Sequence, residues 1–164
     1  MVAALVTGLA VVAGQPTLGP TLDPHAAYLV LRGMKTYFLR RDAQCASAQR
    51  VAEFLAQHPQ VTRVRYPGLP VDPAHAVARR QMLRFGPVVS FVLPGRARAE
   101  ALLAACRLIY EATSFGGVHT SAERRARWGG DAIPEGFIRL SAGCEDADDL
   151  IADLAHALDT AATA

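Results

Sequence analysis

Phe137 to Leu158, FIRLSAGCEDADDLIADLAHAL, reads as a strand followed almost at once by a helix. FIRLS (Phe137 to Ser141) has the character of a strand, and Asp146 stands where it caps a helix with Leu150, Ile151, Leu154 and Leu158 on its apolar side. Outward from this pair the same two signals recur. Val88 to Leu93 (VVSFVL) reads as a strand; Pro94 and Gly95 turn it into a helix from about Arg98 to Ala105, and Leu108 to Glu111 is a further short strand. Val61 to Tyr66 (VTRVRY) alternates like a strand, YPGLP (Tyr66 to Pro70) is a punctuated loop, and Asp72 with Pro73 opens a short helix ending near Met82.

Upstream, Asp23 is the expected N-cap of a helix with Pro24 at its first position. No proline interrupts Ala26 to about Gln57, and Leu29, Val30, Met34, Tyr37 and Phe38, then Val51, Phe54 and Leu55, fall at helical spacing. This is one long helix, or two nearly collinear ones with Gly33 permitting a bend, and Pro59 ends it. The loop SFGGVHTS (Ser114 to Ser121) leads into a polar, arginine-rich stretch with Trp128, whose Arg124, Arg125 and Arg127 read as a solvated helix face. Taken together, the order is that of an α+β domain: a mixed, largely antiparallel sheet with helices on one face, preceded by a long helix.

Composition sets the outer limits. A chain of 164 residues with 51% hydrophobic and 20% charged residues suits one globular domain with a substantial core. Its formal net charge of +2 is too near neutral for a nucleic-acid footprint. The opening MVAALVTGLAVVAG is too short for a membrane span and lacks the basic start of a signal peptide; it reads as a buried strand whose neighbours are missing or come from elsewhere. Gly14 to Pro24 follows as a connector. Cys45, Cys106 and Cys144 are odd in number and widely spaced, and His25, His58, His75 and His156 have no ligand spacing, so neither a metal site nor a disulfide framework is expected. Reduced thiols point to a cytoplasmic protein. There is no Gly-rich phosphate loop, HExxH or GxSxG, and hence no self-contained catalytic motif.

What stands out instead is a series of phrases in order: LDPHAAYLVLRGMKT (Leu22 to Thr36), YPGLPVDPAHAVARRQM (Tyr66 to Met82), FGPVVSFVLPG (Phe85 to Gly95), SFGGVHTS and IRLSAGCEDADDLIADL (Ile138 to Leu154). In register, these resemble the C-terminal part of the Cys/Met-metabolism family of pyridoxal-phosphate enzymes. That family includes cystathionine γ-synthases and lyases, methionine γ-lyases and O-acetylhomoserine sulfhydrylases. The resemblance implies the small C-terminal domain of the aspartate-aminotransferase-like fold (fold type I) over residues 22–164. Residues 1–21 would then be the last strand and connector of a large cofactor domain.

The same resemblance implies pyridoxal 5'-phosphate as cofactor and transsulfuration chemistry in sulfur amino-acid metabolism. This would be C–S lysis or γ-replacement on cysteine- or homocysteine-type substrates. The family's Schiff-base lysine lies before the apolar opening. Here the only lysine is Lys35, against sixteen arginines, and its RGMKT phrase matches the family's linking helix rather than its cofactor site. No catalytic or cofactor-binding residue is therefore expected within the chain, which should be inactive alone. Its partners would be an N-terminal cofactor-domain polypeptide or a full-length relative, in a homo-oligomer without nucleic acid or membrane. The alternative is a non-catalytic remnant or interaction module.

Arg139 matches the arginine of the family's RLS phrase, which holds the substrate α-carboxylate. The chemistry agrees, because a planar guanidinium matches a carboxylate and an arginine between Ile138 and Leu140 is hard to bury unpaired. Ser114 and Phe115 match the phrase lining the same pocket, and Gly116 and Gly117 allow a tight turn near a ligand. His119, where the family usually has Glu, reads as a loop residue. One departure lies between these phrases. Only 24 residues separate Ser114 from Arg139, without the family's proline- and Met-Thr-His-containing segment, which leaves the distal pocket wall and substrate choice open.

Overall fold

The computed structural model describes residues 22–129 and 132–163; the apolar opening read as strand and connector lies outside them. The chain divides into two units, residues 1–38 and 39–164.

Within the first unit, helix α1 (Pro24–Met34) starts as its sequence dictates. The Asp23 side chain accepts from the Ala26 amide at 2.9 Å, and Pro24 takes a position that needs no N–H. None of its residues is buried, and Tyr28, Leu29, Val30, Leu31 and Met34 are all exposed. Helix α2 (Tyr37–Gln57) follows after Lys35 and Thr36, so the long helical stretch is two helices. The break falls just beyond Gly33.

The second unit is built on a five-stranded sheet. Its strands are β1 (Arg63–Arg65), β2 (Val88–Val92), β3 (Tyr110–Glu111), β4 (Ser121–Arg124) and β5 (Phe137–Ser141), in spatial order β1-β2-β5-β4-β3. All pairs are antiparallel except β3 with β4. Helices α3 (His75–Gln81), α4 (Gly95–Ala105) and α5 (Ala147–Ala161) complete the unit. Val89, Phe91, Ile138, Leu140 and Ala122 point to one face and are fully buried with Val51 and Leu55 of α2, Leu102 of α4, and Leu150, Leu154 and Leu158 of α5. The period of two along the strands puts the remaining side chains on the opposite face. There the register sets Ser90, Arg139 and Glu123 in one row and Val88, Ser141 and Ser121 in the next.

Two buried aspartates hold the connections. Asp72 accepts from the Tyr66 and Ala74 amides at 3.0 and 2.8 Å and from Arg65 Nε at 2.9 Å, tying the YPGLP loop to the end of β1. Burial alone would raise its pKa, but the amide of Ala74 and the Arg65 guanidinium, with the Tyr66 amide, outweigh it and hold the carboxyl below the usual aspartate value. Asp153 on α5 receives the Arg107, Leu108 and Ile109 amides at 2.9, 2.9 and 3.3 Å, securing the turn from α4 into β3.

The sequence reading needs correction in the arginine-rich stretch. Ser121–Arg124 is a strand, and a short 3-10 helix, Arg125–Trp128, follows it. Arg124 is not solvated; it is buried and meets Glu135 at 2.9 Å and Glu100 at 3.3 Å. Helix α4 also begins three residues before Arg98, at Gly95. The strand Phe137–Ser141 and the Asp146 cap, which accepts from the Asp148 amide at 2.8 Å, lie where the sequence puts them.

Candidate carboxylate-binding site

The exposed side of β4 and β5 is shaped by how β3 joins β4. The two strands are parallel, so residues 112–120 must travel back across the sheet before β4 begins. They do so over the face opposite the core. The Ser114 carbonyl accepts from Ser121 Oγ at 3.2 Å, and the Gly116 amide donates to Ser141 Oγ at 2.8 Å. Gly116 has φ +82°, a conformation that favours glycine, and this lets the chain turn close above the sheet.

The far end of the crossover is pinned more heavily. Gln44 of α2 donates to the Gly117 carbonyl at 2.5 Å, and the Cys144 amide donates to the Val118 carbonyl at 2.8 Å. Thr120 donates through N and Oγ1 to Glu145 at 2.8 and 2.7 Å, and its hydroxyl accepts from the Gly143 amide at 2.8 Å. Gly143 is required here, because a Cβ on it would sit 2.4 Å from the Val118 carbonyl oxygen and 2.5 Å from the Thr120 nitrogen. His119 is exposed beside Glu145 at 3.8 Å, a loop position as its sequence suggests.

Arg139 lies under this crossover. Its Cζ is 5.0 Å from the centre of the Phe115 ring, a cation–π arrangement. Its Nη2 donates to both the Thr113 carbonyl and Glu123 Oε1. Nε and Nη1 have no hydrogen-bond partner among the described residues, and the side chain keeps 21% of its exposure. The structure thus brings Arg139, Phe115 and the Ser114 carbonyl to one place, with guanidinium donors left over. Such donors suit an incoming carboxylate.

The residue that sequence reasoning missed is Glu123. It is fully buried, yet it accepts from Arg139, from Arg125 Nη1 at 3.1 Å and from Trp128 Nε1 at 3.0 Å. The available signal was one acid set among Arg124, Arg125 and Arg127, which matters only once β4 is seen as a strand. Arg127 pairs instead with Glu111 and stacks 4.9 Å from the Trp128 ring.

Other reactive groups do not join this site. The three cysteines are free; burial, with the nearby Asp153 charge, pushes the Cys106 thiol up to about 12, whereas Cys144 is exposed. No metal-binding group of His, Cys, Asp or Glu occurs among the described residues. None of the helices among them is long and apolar enough to cross a membrane. Lys35 sits exposed at the C-terminal end of α1, beside Leu29, Arg32, Gly33 and Thr36 in a shallow depression. A pyridoxal phosphate needs a shielded amine, a carboxylate for its ring nitrogen and a phosphate cradle. The described residues around Lys35 do not supply that set.

Fold and site together define an α+β domain with a guanidinium presented from the middle strand of its sheet, beneath the crossover that carries Phe115. Comparison with known proteins then gives the family. The profile of the Cys/Met metabolism PLP-dependent enzymes matches residues 5–159, and the chain belongs to that family. It is 59% identical over 142 residues to a Streptomyces coelicolor protein that carries the name cystathionine gamma-lyase, covering 87% of this chain and 36% of that protein. L-methionine gamma-lyase of Pseudomonas putida is 42% identical over 158 residues, 88% of this chain and 39% of its own length. The solved O-acetylhomoserine sulfhydrylase of Wolinella succinogenes superposes with a TM-score of 0.80 at 34% identity, over 87% of this chain and 40% of that one. The chain therefore spans well under half the length of these relatives. The family is dependent on pyridoxal phosphate.

Proposed function

We propose that this chain is the C-terminal, carboxylate-holding portion of a pyridoxal-phosphate enzyme of sulfur amino-acid transsulfuration. It would act in C–S lysis or γ-replacement on cysteine- or homocysteine-type substrates. The cofactor, when bound, would supply carbanion stabilisation, and the Schiff-base lysine would come from outside these 164 residues. Within the chain, Arg139 would anchor the substrate α-carboxylate, with Phe115 and the Ser114 turn shaping the same pocket. The small domain would be that of fold type I, and the working enzyme a cytoplasmic homo-oligomer.

The observation that carries this reading is the Arg139 guanidinium, which has two nitrogens unpaired beneath a crossover that brings Phe115 over it. The test is a titration of the ¹⁵N-labelled chain with sodium propionate, following the Arg139 Nε–H signal. A saturable shift abolished in Arg139→Lys is expected; no saturable shift refutes the site. In parallel, borohydride reduction with pyridoxal phosphate should leave no specific adduct at Lys35. Stoichiometric labelling there would instead place the cofactor on this chain.

A second reading, an interaction module that associates with a full-length relative, is favoured by α1, whose Leu29, Val30, Leu31 and Met34 are all exposed.

A further inference from the structure

Burying a carboxylate completely is costly unless donors surround it. Glu123 is surrounded by donors alone: the guanidiniums of Arg139 and Arg125 share Oε1, and the Trp128 indole N–H reaches Oε2 at 3.0 Å. With every neighbour donating, the group serves as an acceptor in its carboxylate form. It lies directly across from Arg139 in the β4–β5 register, so backbone pairing fixes where it meets the guanidinium. Arg139 commits only Nη2 to Glu123 and the Thr113 carbonyl, and the rest of its donors stay on the open side.

We infer that Glu123 is the positioning residue of this site: it locks Arg139 in place and, by neutralising one of the two guanidiniums it holds, tunes the site to a ligand carrying a single negative charge. Two guanidiniums against one carboxylate leave one surplus positive charge. A monocarboxylate cancels it; among the described residues of this stretch a second carboxylate on the ligand finds no cation left over, since Arg127 is already paired with Glu111 and Arg124 with Glu100 and Glu135. The ligand class of this inference rests on the carboxylate reading above, whereas the locking of Arg139 does not.

The test uses the 164-residue chain with two variants and two readouts. The first readout is the ¹H–¹⁵N heteronuclear NOE of Arg139 Nε, which reports the order of that side chain. The second is the ratio of succinate to propionate affinity. Glu123→Gln is combined with Trp128→Phe, because an amide at Oε2 would confront the indole N–H with a second donor. In this double variant the Arg139 NOE is expected to fall measurably below its wild-type value, because the charge that strengthens the Oε1 bond is gone while only the neutral amide oxygen and the Thr113 carbonyl still accept. Preference for succinate over propionate should rise on the order of tenfold, as one extra unit charge in a partly screened site implies.

Arg125→Ala, at a partly exposed position, carries the test even if the double variant does not fold. It should leave Arg139 ordered and weaken propionate several-fold, because the surplus charge is gone. An Arg139 NOE unchanged in the double variant, or propionate affinity unchanged in Arg125→Ala, overturns the inference. If the wild-type chain shows no saturable propionate binding, the carboxylate reading fails, and the NOE alone then decides whether Glu123 positions Arg139.

Discussion

Replacing Asp153 with alanine tests how the turn between α4 and β3 is held. Three consecutive backbone amides, those of Arg107, Leu108 and Ile109, converge on this one carboxylate. Arg107 and Leu108 are exposed, so water can take over their amides, but Ile109 is 5% exposed and its amide is stranded by the change. A net hydrogen bond to a charged group is worth about 1.5–3 kcal/mol, and a stranded buried donor costs about 1–3 kcal/mol. With the two solvent-reachable bonds counted at the low end, Asp153→Ala should cost about 4–6 kcal/mol. That is a large share of the roughly 5–15 kcal/mol that stabilises a typical domain. The assay is urea unfolding followed by far-UV circular dichroism, with hydrogen exchange at Leu108 and Ile109 as a local probe. Asp148→Ala, at an exposed first-turn position of α5, serves as the control and should cost under about 1 kcal/mol. If Asp153→Ala costs no more than that control, or exchange at Ile109 is not accelerated, the carboxylate is not what holds this turn.

Three further outcomes follow from the same structure. Asp72 has a folded pKa held below its unfolded value, so its contribution is present above the unfolded pKa and is lost as pH falls through the folded one. The stability gap between wild type and Asp72→Asn, about 2 kcal/mol near neutrality, should therefore close below about pH 4 in acid titrations of unfolding. Native thiol labelling at pH 8 should modify Cys144 rapidly, while Cys106, with its thiol raised to about 12, and buried Cys45 react only after denaturation; fast labelling of Cys106 would contradict its burial. Gly143→Ala should displace the 114–120 segment, because the new methyl meets two of its backbone atoms, the Val118 carbonyl oxygen and the Thr120 nitrogen. Propionate binding at Arg139 should weaken at least tenfold, about 1.4 kcal/mol, with the circular dichroism of the core elements retained.

Much of this architecture follows from local chemistry. Strand β5 and the Asp146 cap of α5 are legible because apolar periodicity and a capping aspartate act within a few residues. The Asp23–Pro24 start of α1 is legible for the same reason. Strand β4 is not, because both of its faces carry charge. Arg124 points to the core side and is satisfied by Glu100 and Glu135, while Glu123 points the other way and is satisfied by two arginines and an indole. Without apolar alternation, SAERRARW has no strand signature, and its arginines read as solvated when one of them is buried. The need for a partner at Arg139 is readable from its apolar neighbours, but the identity of that partner is a matter of register and awaits β4. Gln44 is further out of reach: it contacts Gly117 across 73 positions of sequence, and nothing local marks it.

The parallel pairing of β3 with β4 also restricts how this site can vary. Between Glu111 and Ser121 there are nine residues, and they form the whole return path, with no helix to absorb a change in length. Elsewhere on a protein surface an inserted residue is a blister that the scaffold ignores. Here the connector is both the roof of the guanidinium and the tether between two hydrogen-bonded strands. A deletion pulls β3 off the sheet before it reshapes the roof, whereas an insertion between Thr113 and Phe115 lengthens the part of the connector that lies over Arg139. On the proposed carboxylate reading, variation in ligand preference by change of length is thus open in one direction only, toward longer segments.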